Sequence, residues 1–211
     1  MIPTKVLRAA EAHLAAVDPV MAQLIANHGL CTLGRKRRDP FHVLCGSIIG
    51  QQLSAKAADT IQARVEILLS AVGLFTPAHF ETTSVEALRA CGLSNAKGKW
   101  LIELAARTRD GRFDLAQLKK HSDEALVEAL DELPGIGRWT AEMMLIFAFD
   151  RIDIFSPGDA GLMRSIRVLY GNNKPLSERK LKSVTAKWAP YRSVASWYLW
   201  RMIDGDISAW T

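Results

Sequence analysis

The chain has 211 residues, enough to bury a substantial core as one domain or as two lobes. Hydrophobic residues make up 49% and charged residues 23%, an ordinary globular balance that excludes a largely disordered chain. Lysine and arginine outnumber aspartate and glutamate by 27 to 22, and the resulting +5 is consistent with a polyanionic partner without establishing one.

Apolar spacing is helical nearly throughout and strand-like alternation is absent, which predicts an all-α protein. Helices are expected over residues 4–16, 19–28, 40–50, 54–72, 84–90, 95–109, 122–132, 138–149, 159–170, 177–187 and 191–203. Breakers separate them: Asp39-Pro40, Gly73, Thr76-Pro77, Gly92, Asp110-Gly111, Gly171-Asn172-Asn173 and Ala189-Pro190. The run Gly34-Arg35-Lys36-Arg37-Arg38-Asp39 is equally a solvated loop or a phosphate contact. Cys31, Cys45 and Cys91 are far apart in apolar surroundings and read as buried free thiols. His42 and Cys45 have ligand-like spacing, but no second pair completes a transition-metal site. No apolar run is long enough to span a bilayer and Met1-Ile2-Pro3-Thr4-Lys5 lacks a signal-peptide core, so a cytoplasmic protein is expected, a monomer with no membrane partner.

The most informative stretch is Leu133-Pro134-Gly135-Ile136-Gly137-Arg138-Trp139-Thr140-Ala141. Two glycines around one apolar residue let backbone N–H groups converge on an anion without obstruction. Ser122 caps the preceding helix, with Leu126, Val127 and Leu130 on its apolar face, and Trp139, Met143 and Phe147 mark the face of the next. The pattern is helix-hairpin-helix, a device that grips a nucleic-acid backbone without reading sequence; a plain tight turn is the simpler alternative. Gly135, Gly137, Arg138 and Thr140 are the candidate backbone contacts.

One helix later, Phe155-Ser156-Pro157-Gly158-Asp159 sets a carboxylate at a helix start. Such a charge can simply complement the helix end. Beside a phosphate grip it can also steady the cation that forms on a deoxyribose losing its base, and orient the water that attacks C1′. Asp150 and Asp153 lie before the breakers, so Asp159 is the candidate catalytic residue.

On these residues the chain resembles the helix-hairpin-helix DNA glycosylase superfamily, and within it the 3-methyladenine DNA glycosylase II branch. The resemblance runs from about Pro40 to Trp200 through four blocks: Ile48-Ile49-Gly50-Gln51-Gln52-Leu53-Ser54, Gly92-Leu93-Ser94 with Lys97, the hairpin, and Trp188-Ala189-Pro190-Tyr191-Arg192-Ser193. It implies two helical lobes with an interlobe active-site cleft: residues 1–30 with 145–211, carrying Asp159, and a central lobe of 31–144. It implies that damaged double-stranded DNA is the partner and that a bacterial protein would work with the nucleoid. The damaged nucleotide must be rotated out of the stack, with Gln52, or next to it Leu53, filling the gap. Trp139, Trp200 and Met143 then line the base pocket, where a cationic methylated purine gains from stacking. Relatives that also cut the strand place a lysine two positions after the second hairpin glycine; here that position is Trp139, which implies base removal by water alone. The resemblance further implies a structural Na⁺ or K⁺ on the carbonyls of Asp131, Leu133 and Ile136, no organic cofactor, and no iron-sulfur cluster because no cysteine follows Cys91. Longer bacterial relatives add an N-terminal β-rich domain, so a more open pocket is expected here. The rival readings are a bifunctional oxidised-base glycosylase/lyase and a non-catalytic DNA-binding module.

Overall fold

Short polar side chains start most of the helices. Asp18, Asp39, Ser54, Ser84, Ser94, Asp114, Ser122, Asp159 and Ser177 each accept a hydrogen bond from a backbone N–H in the first turn that follows. Each such cap contributes about 1 kcal/mol by satisfying an N–H that has no partner within the helix.

The structure is a computed structural model that describes residues 1–35 and 38–204. Among them the chain forms twelve α-helices and no strand: α1 (Thr4–Val17), α2 (Pro19–His28), α3 (Pro40–Gly50), α4 (Ala55–Leu68), α5 (Val85–Ala90), α6 (Asn95–Arg109), α7 (Leu115–Leu118), α8 (Asp123–Asp131), α9 (Arg138–Phe147), α10 (Ala160–Tyr170), α11 (Glu178–Ala186) and α12 (Arg192–Asp204). None of the described helices is long and apolar enough to cross a membrane. The expected helix over 54–72 stops at Leu68, because Ser70 takes a positive φ of 51° and Gly73 one of 79°. Two short elements escape the periodicity, a 3-10 turn at Pro77–Phe80 and the one-turn α7.

The chain divides into two compact units, Met1–Arg37 with Leu145–Thr211, and Arg38–Met144. The first is built on α1, α2, α10 and α12, which pack on one another. Its core holds Leu7, Leu14, Met21, Leu162, Ile166 and Leu199. Two buried carboxylates pin it. Asp18 caps α2 and accepts from the Tyr170 hydroxyl and the Trp188 indole, both at 2.9 Å. Glu11 accepts from the Tyr198 hydroxyl at 2.8 Å and from the Cys31 N–H at 2.7 Å. That last bond, with the burial of Cys31 and Leu33, ties the segment after α2 to the chain ends, whereas the sequence reading begins the central lobe at residue 31.

The second unit packs α3 on α4 and α6, and α6 on α5 and the 3-10 turn, around Leu44, Ile48, Phe75, Phe80, Leu88 and Leu101. Cys31, Cys45 and Cys91 are buried free thiols. Of the basic run at 35–38, Lys36 and Arg37 lie outside the described residues, as does Trp210.

Candidate active site

The glycine bend between α8 and α9 is held from both sides. Gly135 has φ 82°, a left-handed conformation, and a Cβ there would collide with the Trp100 ring of α6. A side chain at this position would therefore meet both backbone strain and a steric barrier. At Gly137 the space a Cβ would fill is open. The Ile136 N–H closes the turn onto the Leu133 carbonyl at 3.0 Å. Among the described residues no carbonyl accepts from the N–H groups of Gly135, Gly137, Arg138 or Thr140. Four such donors beside a helix start, with open space at Gly137, are an arrangement that can receive an anion.

Arg138 has another engagement. Its guanidinium reaches Glu124 through Nη1 at 3.0 Å and Nη2 at 3.2 Å, and its Nε reaches Glu142 at 3.0 Å. The side chain thus ties α8 to α9 across the bend, and Thr140 is buried. On α9, Trp139 is exposed and Met143, one turn on, is buried.

Asp159 is the N-cap of α10 and only 8% exposed. Its Oδ1 accepts from the Leu162 N–H at 2.8 Å and from the Trp200 indole Nε1 at 3.0 Å. The structure therefore brings together two candidate residues that are 41 positions apart, and the indole acts on the carboxylate through its N–H. The Trp200 ring is itself buried against Phe147, with centroids 5.6 Å apart and planes inclined at 31°. Gly161 makes room for this contact: a Cβ there would stand 3.2 Å from Asp159 Oδ1 and 3.4 Å from the indole.

The segment leading to Asp159 is fastened to the start of α12, the helix that carries Trp200. Arg192 forks onto Asp153 at 2.8 and 2.9 Å while its own N–H caps onto the same carboxylate at 3.1 Å. The Ser193 hydroxyl donates to the Arg151 carbonyl at 2.8 Å and accepts from the Ile154 N–H at 2.9 Å. The Ser165 hydroxyl of α10 donates to the Leu199 carbonyl of α12 at 2.7 Å. One helix thus holds the loop at its start and the carboxylate two turns later, which restricts Asp159 to one orientation. Sequence reasoning missed Gly161, weighed Asp153 only as a rival carboxylate, and gave Ser193 no role although Arg192-Ser193 stood in one of the four motif blocks.

The turn between α3 and α4 carries Gln52 in the left-handed region at φ 58°, with its side chain and that of Leu53 both exposed. For a residue other than glycine this conformation costs about 1–2 kcal/mol and persists only where the surroundings enforce it.

A family model described as HhH-GPD superfamily base excision DNA repair protein matches residues 45–190. The chain is 31% identical over 198 residues to DNA-3-methyladenine glycosylase 1 of Schizosaccharomyces pombe, covering 92% of this chain and 87% of that one. Among solved structures it is similar to a DNA-3-methyladenine glycosidase from Bacillus halodurans, at 37% identity and a TM-score of 0.79 over 90% of this chain and 86% of that chain. It is similar too to the Schizosaccharomyces pombe 3-methyladenine DNA glycosylase Mag1 in complex with abasic DNA, at 30% identity and a TM-score of 0.79 over 96% and 99% of the two chains.

Proposed function

The chain belongs to the HhH-GPD superfamily of base-excision DNA repair proteins, and from that premise we propose that it is a monofunctional DNA glycosylase that hydrolyses the N-glycosidic bond of alkylated purines, chiefly 3-methyladenine. The observation that carries this reading is Asp159: a buried carboxylate whose orientation is fixed by the Leu162 N–H and the Trp200 indole. Two relatives whose names state 3-methyladenine glycosylase or glycosidase activity align over 90% or more of the chain, so the likeness spans both the bend and the carboxylate.

In this reading a monomer grips duplex DNA through the N–H groups at Gly135, Gly137, Arg138 and Thr140, contacts that carry no sequence information. The damaged nucleotide leaves the stack and the side chains of Gln52 and Leu53 fill the gap. Trp139 supplies an exposed ring on which a cationic methylated purine stacks, worth ~1–3 kcal/mol before any cation–π gain. The methylated base already carries positive charge and departs with the glycosidic electron pair, which leaves an oxocarbenium-like sugar. Asp159 steadies that cation and orients the water whose oxygen bonds to C1′ as one proton is released. Trp139 stands where strand-cutting relatives would carry a lysine, so no amine attacks the sugar and the backbone remains intact.

The carbonyls of Asp131, Leu133 and Ile136 are proposed to hold a Na⁺ or K⁺ ion. Among the described residues no backbone N–H donates to the carbonyls of Asp131 or Ile136, and Leu133 accepts one bond, so the donor set suits a hard monovalent cation. When bound, such an ion would add positive charge toward a DNA phosphate and no redox or hydrolytic chemistry.

The test is incubation with methylated duplex DNA, with free base, strand breaks and borohydride-trapped adducts measured together. Base release without breaks or adducts is the expected result. A trapped adduct would establish the glycosylase/lyase alternative, and binding without release would leave a DNA-binding module.

A further inference from the structure

Lys97 and Gln51 belong to motif blocks, yet neither has a part in the chemistry above. The α3–α4 turn has no side-chain cap of its own at its start: α3 ends at Gly50, and the Leu53 N–H returns to the Gly50 carbonyl at 3.2 Å. Two carbonyls beside that bend, Ile49 and Gln51, are taken by one ammonium, Lys97 Nζ, at 2.9 and 2.6 Å. Burial lowers the pKa of Lys97 below the ordinary lysine value, the mark of a charge drawn out of water to serve these acceptors. Three residues further along α6, on the same face, Trp100 occupies the space beneath Gly135 of the glycine bend. The Gln51 side chain closes the triangle, its Nε2 donating to the Gly135 carbonyl.

We propose that Lys97 and Gln51 are positioning residues that set the gap-filling turn at a fixed height above the phosphate-gripping bend, with α6 as the strut between them. Gripping the backbone then places Gln52 and Leu53 at the stack in the same motion, and the enforced positive φ of Gln52 is the local consequence. The inference rests on the reading of Gln52 and Leu53 as the residues that fill the gap. It adds a coupling between two contacts that the motif blocks, taken singly, do not express.

The test uses one methylated oligonucleotide as a paired duplex and as a single strand, because extruding a base from a single strand leaves no paired stack to fill. Single-turnover release of 3-methyladenine is followed for the wild type, Lys97→Met and Lys97→Arg. For Lys97→Met, loss of a charge-assisted pair of bonds should slow release from duplex about tenfold or more while release from the single strand changes less than about threefold. Lys97→Arg, which keeps a cation able to meet two carbonyls, should recover part of the duplex rate. Gln51→Ala removes only the amide bond to Gly135 and should show the same selective loss, so the proposal stays testable if Lys97→Met folds poorly. Equal losses on both substrates in these variants, or none on either, overturn it. A wild-type protein that releases no base from either substrate overturns instead the functional reading beneath it.

Discussion

Replacing Trp200 with phenylalanine removes one N–H and keeps a ring. The bond lost runs 3.0 Å from the indole Nε1 to Asp159 Oδ1, and both residues are less than a tenth exposed. Hydrogen bonds to charged groups contribute about 1.5–3 kcal/mol. The Leu162 N–H still reaches the same oxygen at 2.8 Å, so the cap on α10 survives and most of the loss falls on the direction in which the carboxylate points. If that direction matters fully only as the sugar cation forms, the same energy corresponds to about 10–150-fold in rate. The apolar wall is retained, because a phenylalanine can still lie against Phe147. Steady-state and single-turnover release of 3-methyladenine from methylated duplex should therefore show a fall in kcat, with KM within about twofold of the wild type. The reasoning is refuted if kcat is unchanged, or if KM rises alone, which would make Trp200 a wall for the base and not a guide for Asp159.

Other consequences are open to simple measurement. Asparagine caps a helix about as well as aspartate, so Asp159→Asn should hold its unfolding midpoint close to wild type, whereas Asp159→Ala should lose about 1 kcal/mol in denaturant titrations. Gly135→Ala meets both the φ of 82° and the Trp100 ring; it should lose about 2 kcal/mol or more and weaken DNA binding, read by denaturation and fluorescence anisotropy. Burial, and then the neighbouring carboxylates Asp18 and Glu11, raise the pKa values of Tyr170 and Tyr198. The unfolded chain ionises first, so this stability is complete below about pH 10 and declines as pH rises beyond it, a slope that Tyr170→Phe should reduce. Burial also pushes the Cys31 thiol up to about 12 and Cys45 well above its usual range, so neither should react with thiol reagents until the protein is denatured.

Local signals were the legible part of this protein. Caps such as Ser122 and Asp159 write a helix start into three or four adjacent residues, and the glycine bend writes its own geometry. The 3.6-residue period marked the long helices but not α7, a single turn with no buried residue to repeat, and it carried α4 past Leu68 because apolar residues continue through the turn. What could not be read were pairings made by folding. Nothing near Trp200 shows that its N–H finds Asp159, and nothing near Lys97 shows that it reaches Ile49 and Gln51. Nor does anything near Arg138 show that its guanidinium engages Glu124 of α8 and Glu142 of α9. The resemblance to a known family supplied the candidate site residues, and the fold supplies what orients them.

The central claim is that Asp159 performs the chemistry while the main chain of the bend does the holding. Release of 3-methyladenine by Asp159→Asn, measured under single turnover beside its affinity for duplex containing an abasic site, separates the two most directly. Loss of about a hundredfold or more in release with affinity kept within about threefold is the result this account predicts. Release at the wild-type rate by that variant would contradict it.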